Sequence, residues 1–211
     1  MARQQRDGLG SADASEEDLT LQFHHLNFSV QKSRRYHEKL SAFYGKWRDR
    51  MRVVTAVAGS GAFFVVVGGH QRAAEWITAF VALWAVLDII IMPDKKHDLH
   101  NELCKKFTGL AAKVHQVPQT QQALRELTAE RLLIEEAEPP CKRLVDLEAR
   151  NDECRAQGMS PDELAPLTGP QRFFGYYGAS FGMRKLEKWK ADRQRQLAAS
   201  SNPQGAAAGT P

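Results

Sequence analysis

Two apolar runs decide the fold: residues 53–69, VVTAVAGSGAFFVVVGG, and residues 73–92, AAEWITAFVALWAVLDIIIM. The first run has no charged residue, and the second has only Glu75 near its start and Asp88 one turn before its end. As helices they would be roughly 26 and 30 Å long, close to the hydrocarbon thickness of a bilayer. Buried helices of a soluble protein are the alternative, but such helices usually keep a polar stripe, which residues 53–69 lack. The two runs therefore predict a transmembrane helical hairpin.

Basic residues are concentrated on one side of this hairpin. Eight lysines and arginines lie between residues 32 and 52, before the first run, and four lie between residues 95 and 106, after the second. The connecting turn contributes only Arg72. The positive-inside rule then places both termini in the cytoplasm and the turn outside. We expect a multi-pass protein of the cell inner (plasma) membrane with most of its mass in the cytoplasm.

Composition narrows the class of protein. The chain has 211 residues and a net charge of +4, and its mean hydropathy of -0.46 excludes a protein made mostly of membrane spans. The basic excess lies beside the membrane, so anionic lipid explains it better than nucleic acid does. The three cysteines, Cys104, Cys141 and Cys154, fall on the predicted cytoplasmic side, where thiols stay reduced.

The rest of the chain predicts an all-α protein whose helices extend from the hairpin into a cytoplasmic bundle. Apolar residues at three- and four-residue steps predict a helix over 15–52 that continues into the first span, and further helices over 94–116, 119–138 and 140–157. The helix over 94–116 should pack against the one over 15–52. Residues 159–198 predict a short helix, an aromatic and glycine-rich loop or interfacial segment, and a basic helix. Residues 1–14 and 199–211 are predicted to be disordered.

Several residues of the hairpin are candidates for a role in the membrane. Small residues lie four apart at Thr55 and Gly59 and at Ala58 and Ala62, which favours close helix packing, either within the hairpin or between subunits. The second run places Trp84 near mid-membrane and Asp88 near its inner end. Asp88 either pairs with Arg52 or Lys95, or lines a pore in a homo-oligomer.

The sequence has few signs of catalysis. His97, His100 and Cys104 share one side of a helix and are possible zinc ligands, but a solvated or packed helix face explains them better. Glu135, Glu136 and Glu138 either bind a cation or form a polar helix end. No phosphate-binding loop, GxSxG, HExxH or paired CxxC motif occurs. We therefore expect no enzyme, no cofactor and no metal.

Two segments carry a family resemblance: residues 97–114, HDLHNELCKKFTGLAAKV, and residues 130–158, ERLLIEEAEPPCKRLVDLEARNDECRAQG. Together with the order of helices and spans over about residues 16–158, they make the chain similar to the SLATT group, the two-transmembrane effector domains associated with SMODS and SLOG proteins of bacterial conflict systems. The resemblance rests on the positions Leu99, His100, Phe107, Leu110, Arg131, Leu132, Ile134, Glu135, Glu138, Pro139, Pro140 and Asn151.

The resemblance implies a pore-forming or membrane-perturbing effector in antiviral defence. Its partners would be the lipid bilayer, further copies of the chain, and a separate nucleotide second-messenger synthase or sensor, because no such domain is fused here. The alternative is a passive membrane-anchored scaffold whose helices dock a cytoplasmic partner. An enzyme acting on lipid or nucleotide is a third and weaker hypothesis.

Overall fold

The structure is a computed structural model that describes the backbone of residues 2–68, 71–178, 180 and 182–201, and the side chains of these residues apart from 2–15, 62–67, 71, 74 and 196–201. Within these ranges the secondary structure is helical, which confirms the all-α class. The helices are α1 (Ala2–Val67), α2 (Gln71–Ile91), α3 (Pro93–Gln116), α4 (Gln121–Glu136), α5 (Arg143–Ala156), α6 (Gly169–Gly175) and α7 (Met183–Ser201), with a 3-10 turn at Pro161–Glu163.

The chain forms two units, Met1–Glu138 and Pro139–Pro211. Helix α1 of the first unit is continuous from Ala2 through the first apolar run, so the backbone of residues 2–14 is helical where the sequence predicted disorder. The predicted tail over 199–211 lies mostly outside the described residues. The domain boundaries drawn from the sequence otherwise stay predictions.

Helix α1 presents a seam in which every seventh residue is buried. Its members are Phe23, Val30, His37, Tyr44 and Met51. Leu26 and Leu40 lie three residues after members of this series and are buried as well. Helix α3 has the same spacing, with buried Pro93, His100, Phe107 and Val114. Seven-residue repeats of this kind keep one seam of a helix against its partner, as in a coiled coil.

Contacts along the seam show that α1 and α3 run antiparallel. Thr20 bonds Gln119 near one end, His37 meets His100 further along, and Arg52 pairs with Asp94 at the other end. Apolar residues of α4 complete the core of this unit through Leu124, Leu127 and Ile134. The predicted packing of α3 against the first helix is confirmed.

Helix α2 is the one helix among the described residues that is long and apolar enough to cross a membrane. The candidate stretch runs over Glu75–Gln116, and only 6% of its most apolar window is buried. A core helix of a soluble protein would be mostly buried. The large apolar side chains of α2 are instead exposed, among them Trp76 (79%) and Ile90 (68%). Six residues of the first run, 62–67, have no described side chains, so the structure supports one candidate span and leaves the second as a prediction.

The second unit has its own small core. Leu144 of α5, Ala165 and Leu186 of α7 are buried together, with Leu147 and Trp189 packed against them. Helix α5 begins at Arg143, whereas the sequence placed its start at Pro140. The aromatic, glycine-rich segment contains the short helix α6, which starts in a capping box between Thr168 and Gln171. The sequence predicted a loop or interfacial segment here because of its glycine content. The capping box satisfies backbone N–H groups at the start of α6 and so stabilises a short helix.

Candidate functional site

Two histidines and a glutamate form a buried polar cluster in the first unit. Nδ1 of His37 lies 3.0 Å from Nδ1 of His100, and Nε2 of His37 lies 3.0 Å from Oε1 of Glu138. His37 is completely buried and His100 nearly so, while the Glu138 side chain keeps 23% of its surface exposed. Polar groups at this depth are stabilised only when their hydrogen bonds are made. The cluster therefore ties α1, α3 and the end of the α4 segment together.

Aromatic rings enclose the two imidazoles. Tyr44 stacks on His100 with centroids 5.7 Å apart and planes 1° apart, and Phe107 stacks on His37 at 5.5 Å and 11°. Burial raises the pKa of the Tyr44 hydroxyl, an effect that nearby Lys96 partly offsets. Stacking holds the rings in the seam and excludes water from the bond between them.

A second histidine contact lies one turn closer to the membrane boundary. Nδ1 of His97 lies 2.9 Å from the Ser41 carbonyl oxygen, to which its N–H donates. The close approach depends on Gly45, because a Cβ there would lie 3.1 Å from the same imidazole nitrogen. The glycine lets α3 come close to α1 at this level.

The short contact between the two imidazoles requires that one ring donates and the other accepts. When both rings are neutral, Nδ1–H of His100 donates to His37, and Nε2–H of His37 donates to Glu138. Protonation of both rings would point two N–H groups at each other across the 3.0 Å contact. The contact between α1 and α3 thus requires one unprotonated Nδ1.

His37 is the central residue of this cluster and was absent from the sequence-based candidates. The signal that identifies it is the seven-residue series from Phe23 to Met51, in which His37 takes a core position between Val30 and Tyr44. A stripe found by steps of three and four passes over a histidine, because histidine is not counted as apolar. Reading the series as a heptad would have placed the imidazole inside.

The glutamate run is divided between two partners. Glu138 turns inward to His37, whereas Glu135 pairs with Arg131 at 2.7 Å along α4, and Glu136 is exposed. Pro139 and Pro140 follow at the boundary between the two units. In the part of the chain that the structure describes, no group of three or more His, Cys, Asp or Glu side chains is arranged to hold a metal ion, and this includes His97, His100 and Cys104.

The membrane candidates fall on different faces of the hairpin. Thr55 and Gly59 are exposed, with open space where a Cβ of residue 59 would lie. Ala58 is half-buried and continues the seam of α1 seven residues beyond Met51. The side chain of Ala62 lies outside the described residues. Thr55 and Gly59 therefore lie on the exposed surface of α1, outside the seam that contains Ala58.

Asp88 is exposed on α2, and Trp84 is half-buried one turn earlier. Arg52 does not reach Asp88; it pairs with Asp94 at 3.2 Å. Among the described residues, Asp88 forms no ion pair, so the expected pairing with Arg52 is not found. Trp84 stacks on Phe80 at 5.7 Å, and its indole N–H is buried without a hydrogen-bond partner in the described part of the chain.

Asn151 has a structural role in the second unit. Its side-chain amide donates to the Ala165 carbonyl oxygen and its carbonyl accepts from the Ala165 N–H, both at 2.8 Å. Asn151 is almost fully buried. The pair of bonds fixes the chain after the 3-10 turn against α5.

No protein-family model matches this sequence, and neither a curated protein nor a solved structure matches it. The resemblance to the SLATT group thus stays a hypothesis that rests on the residues quoted for it.

We predict that His37 and His100 are energetically coupled. His37→Phe alone leaves a buried imidazole nitrogen without its partner and should cost about 1–3 kcal/mol of unfolding free energy, and His100→Phe should do the same. The double variant should be more stable than either single variant, because it fills both heptad positions with apolar rings. Thermal unfolding of the full chain in nanodiscs measures this. Strict additivity of the two losses would contradict the coupling.

We predict that Asn151→Ala destabilises the second unit by about 1–3 kcal/mol, because the buried Ala165 amide loses both partners. Asn151→Asp should also be destabilising, since a carboxylate cannot donate to the Ala165 carbonyl oxygen. Faster hydrogen exchange over 143–167, with exchange over 93–116 unchanged, is the expected result. An unchanged rate over 143–167 in both variants would show that the clamp contributes little.

Proposed function

We propose that this chain is a two-span integral membrane protein whose copies associate and permeabilise the inner membrane in response to a cytoplasmic partner. The observation that carries the proposal is the contrast between α2 and α3. Helix α3 buries its apolar stripe in the seam, whereas α2 leaves large side chains such as Trp76, Leu83 and Ile89 uncovered. Each such side chain favours an apolar environment by roughly 1.5–3 kcal/mol, and lipid supplies one.

The second span of the proposal is the end of α1. Val53 and Val57 are 62% and 67% exposed, and the seam residues beside them are half-buried. Charged groups end the apolar surface on both helices at the same level, where Arg48 and Arg52 lie 3.7 and 3.2 Å from Asp94. Such a charged collar fits the cytoplasmic lipid headgroups, with both termini inside.

Asp88 supplies the polar element of the proposed pore. Its carboxylate is exposed among apolar residues in the last turn of α2, an unfavourable position in lipid that association of several copies would relieve. Copies arranged around an axis would form a carboxylate ring that passes cations. The cytoplasmic seam would transmit a trigger, because α1 belongs both to the histidine cluster and to the hairpin. By resemblance, the trigger is a separate nucleotide synthase or sensor in a bacterial defence system.

A second candidate function is a membrane-anchored adaptor. The observation that favours it is the adjacent pair Leu132 and Leu133 on α4, which are 59% and 70% exposed. Exposed neighbouring leucines are suited to docking a partner helix. An adaptor would keep its function when an unrelated two-span anchor replaces residues 53–92, and an effector would lose it.

We predict a cation leak that depends on Asp88. Full-length protein reconstituted at high density in vesicles should dissipate a potassium gradient, and Asp88→Asn should reduce the rate by about tenfold because the carboxylate ring is lost. Asp98→Asn is the matched control. It removes a carboxylate from an exposed position of α3 outside the apolar run, and it should leave the rate unchanged. A potential-sensitive dye reports the gradient. As a control for insertion, the parent protein must first resist alkaline carbonate extraction. If the inserted parent protein then leaves the potassium gradient intact, the effector proposal is wrong.

We predict opposite labelling of Cys141 and an Arg72→Cys variant by a membrane-impermeant maleimide. Cys141 is exposed and should react in inverted vesicles, whereas Arg72→Cys should react in spheroplasts. Labelling of the other two cysteines should be low. Burial, together with Glu38, raises the pKa of the Cys104 thiol and so disfavours the reactive thiolate, and Cys154 is fully buried. Labelling of both positions from the same side would contradict a two-span hairpin.

A further inference from the structure

The second unit carries an exposed aromatic cluster on α6. Phe173 and Phe174 meet edge to face with centroids 5.1 Å apart, and Phe173 lies 5.6 Å from Tyr177. The three residues are 60%, 48% and 49% exposed. Three adjoining rings at the surface form an apolar patch whose contact with water is unfavourable.

The opposite face of α6 holds these rings outward. Gln171 and Gly175, four residues apart, are buried, and a Cβ at Gly175 would lie only 2.8 Å from Cβ of Leu144. Lys142 donates a hydrogen bond to the Tyr176 carbonyl oxygen, and the Tyr176 hydroxyl donates to Glu148 at 3.1 Å. Because the helix is packed this closely on α5, the aromatic rings cannot turn inward.

Basic side chains surround the aromatic cluster in the sequence and along α7. Residues 169–195 contain seven lysines and arginines and two acidic residues. Among these, Arg172, Arg184, Lys185, Lys188 and Lys190 are exposed. Gly182, at a φ of 75°, has a left-handed conformation that favours glycine, and it lies against the Gln171 side chain at the start of α7. Exposed aromatic rings and exposed cations in the same small unit match the interfacial region of an anionic bilayer.

The first unit ends close to the expected membrane boundary. Its last residue, Glu138, is bonded to His37, which also contacts His100. His100 is seven residues into α3, and therefore roughly 10 Å along that helix from its start at Pro93, where the apolar run ends. Residue 138 thus lies near the proposed level of the lipid headgroups.

We propose that Phe173, Phe174 and Tyr177, with the basic residues of α7, form a second and reversible membrane contact that selects anionic lipid. The rings enter the interfacial layer and the cations meet phosphate headgroups. Proximity of this surface to the bilayer rests on the proposed insertion of the hairpin, whereas the chemistry of the surface does not. A protein partner or a second copy is the competing occupant.

Hydrogen exchange of the full chain in nanodiscs tests this contact. Residues 169–178 should exchange about tenfold more slowly in discs with roughly a third phosphatidylglycerol than in discs of phosphatidylcholine alone. The triple variant Phe173→Ser, Phe174→Ser, Tyr177→Ser should lose this difference, and Lys185→Gln with Lys188→Gln should reduce it. Leu132→Ser with Leu133→Ser removes exposed apolar surface from α4 and should leave the difference intact.

Two readouts in the same experiment separate the possible failures. Slow exchange over 75–91 in both kinds of disc reports insertion of the hairpin, independently of 169–178. Equal exchange of 169–178 in the two lipids, or a difference that survives the triple serine variant, would overturn the second contact alone. Protection that appears only in discs holding two chains would assign the surface to a second copy and would also overturn it.

Discussion

The hydrogen bond between the buried imidazoles of His37 and His100 sets the register of the first unit. Both rings occupy heptad core positions whose neighbours in the series are apolar or aromatic. A shift of one heptad in either direction would place the His37 imidazole against Phe107 or Pro93, whose side chains offer no hydrogen bond, and would leave a buried nitrogen unsatisfied. Polar residues at single core positions commonly select one register in this way, at some cost in stability. Glu138 then fastens the end of the α4 segment to the same point.

One helix connects this register to the apolar runs. The seam of α1 continues from Tyr44 through Met51 to Ala58 without a break. Helix α1 packs against α3 and also contacts α2. A displacement at the histidine cluster would therefore be carried along a continuous hydrogen-bonded rod into the apolar run. The charged contacts of Asp94 with Arg48 and Arg52 lie where the environment changes. This geometry makes α1 the structural basis of the proposed coupling between a cytoplasmic trigger and the hairpin.

The second unit uses polar clamps to fix its backbone and leaves aromatic side chains outside. Asn151 holds Ala165 by two hydrogen bonds, and the Thr168 capping box starts α6. Burial and the Glu148 carboxylate raise the pKa of the Tyr176 hydroxyl well above its usual range, so this residue stays a neutral donor. The rings of Phe173 and Tyr177, only a few residues away, remain exposed. This small unit therefore exposes large apolar side chains that could have enlarged its core. Such exposure is favourable only where the surface contacts lipid or protein.

The sequence by itself determined the helical class, the apolar runs and the amphipathic stripe of α3, because these depend on local periodicity. It also marked His100 and Glu138 without showing that they act together. Only the tertiary structure showed that His37 contacts both His100 and Glu138. It also showed that Arg52 pairs with Asp94 and not with Asp88, and that Asn151 hydrogen-bonds Ala165. Each of these contacts joins residues from different elements, and the register between helices, which no local pattern specifies, sets the distance between them.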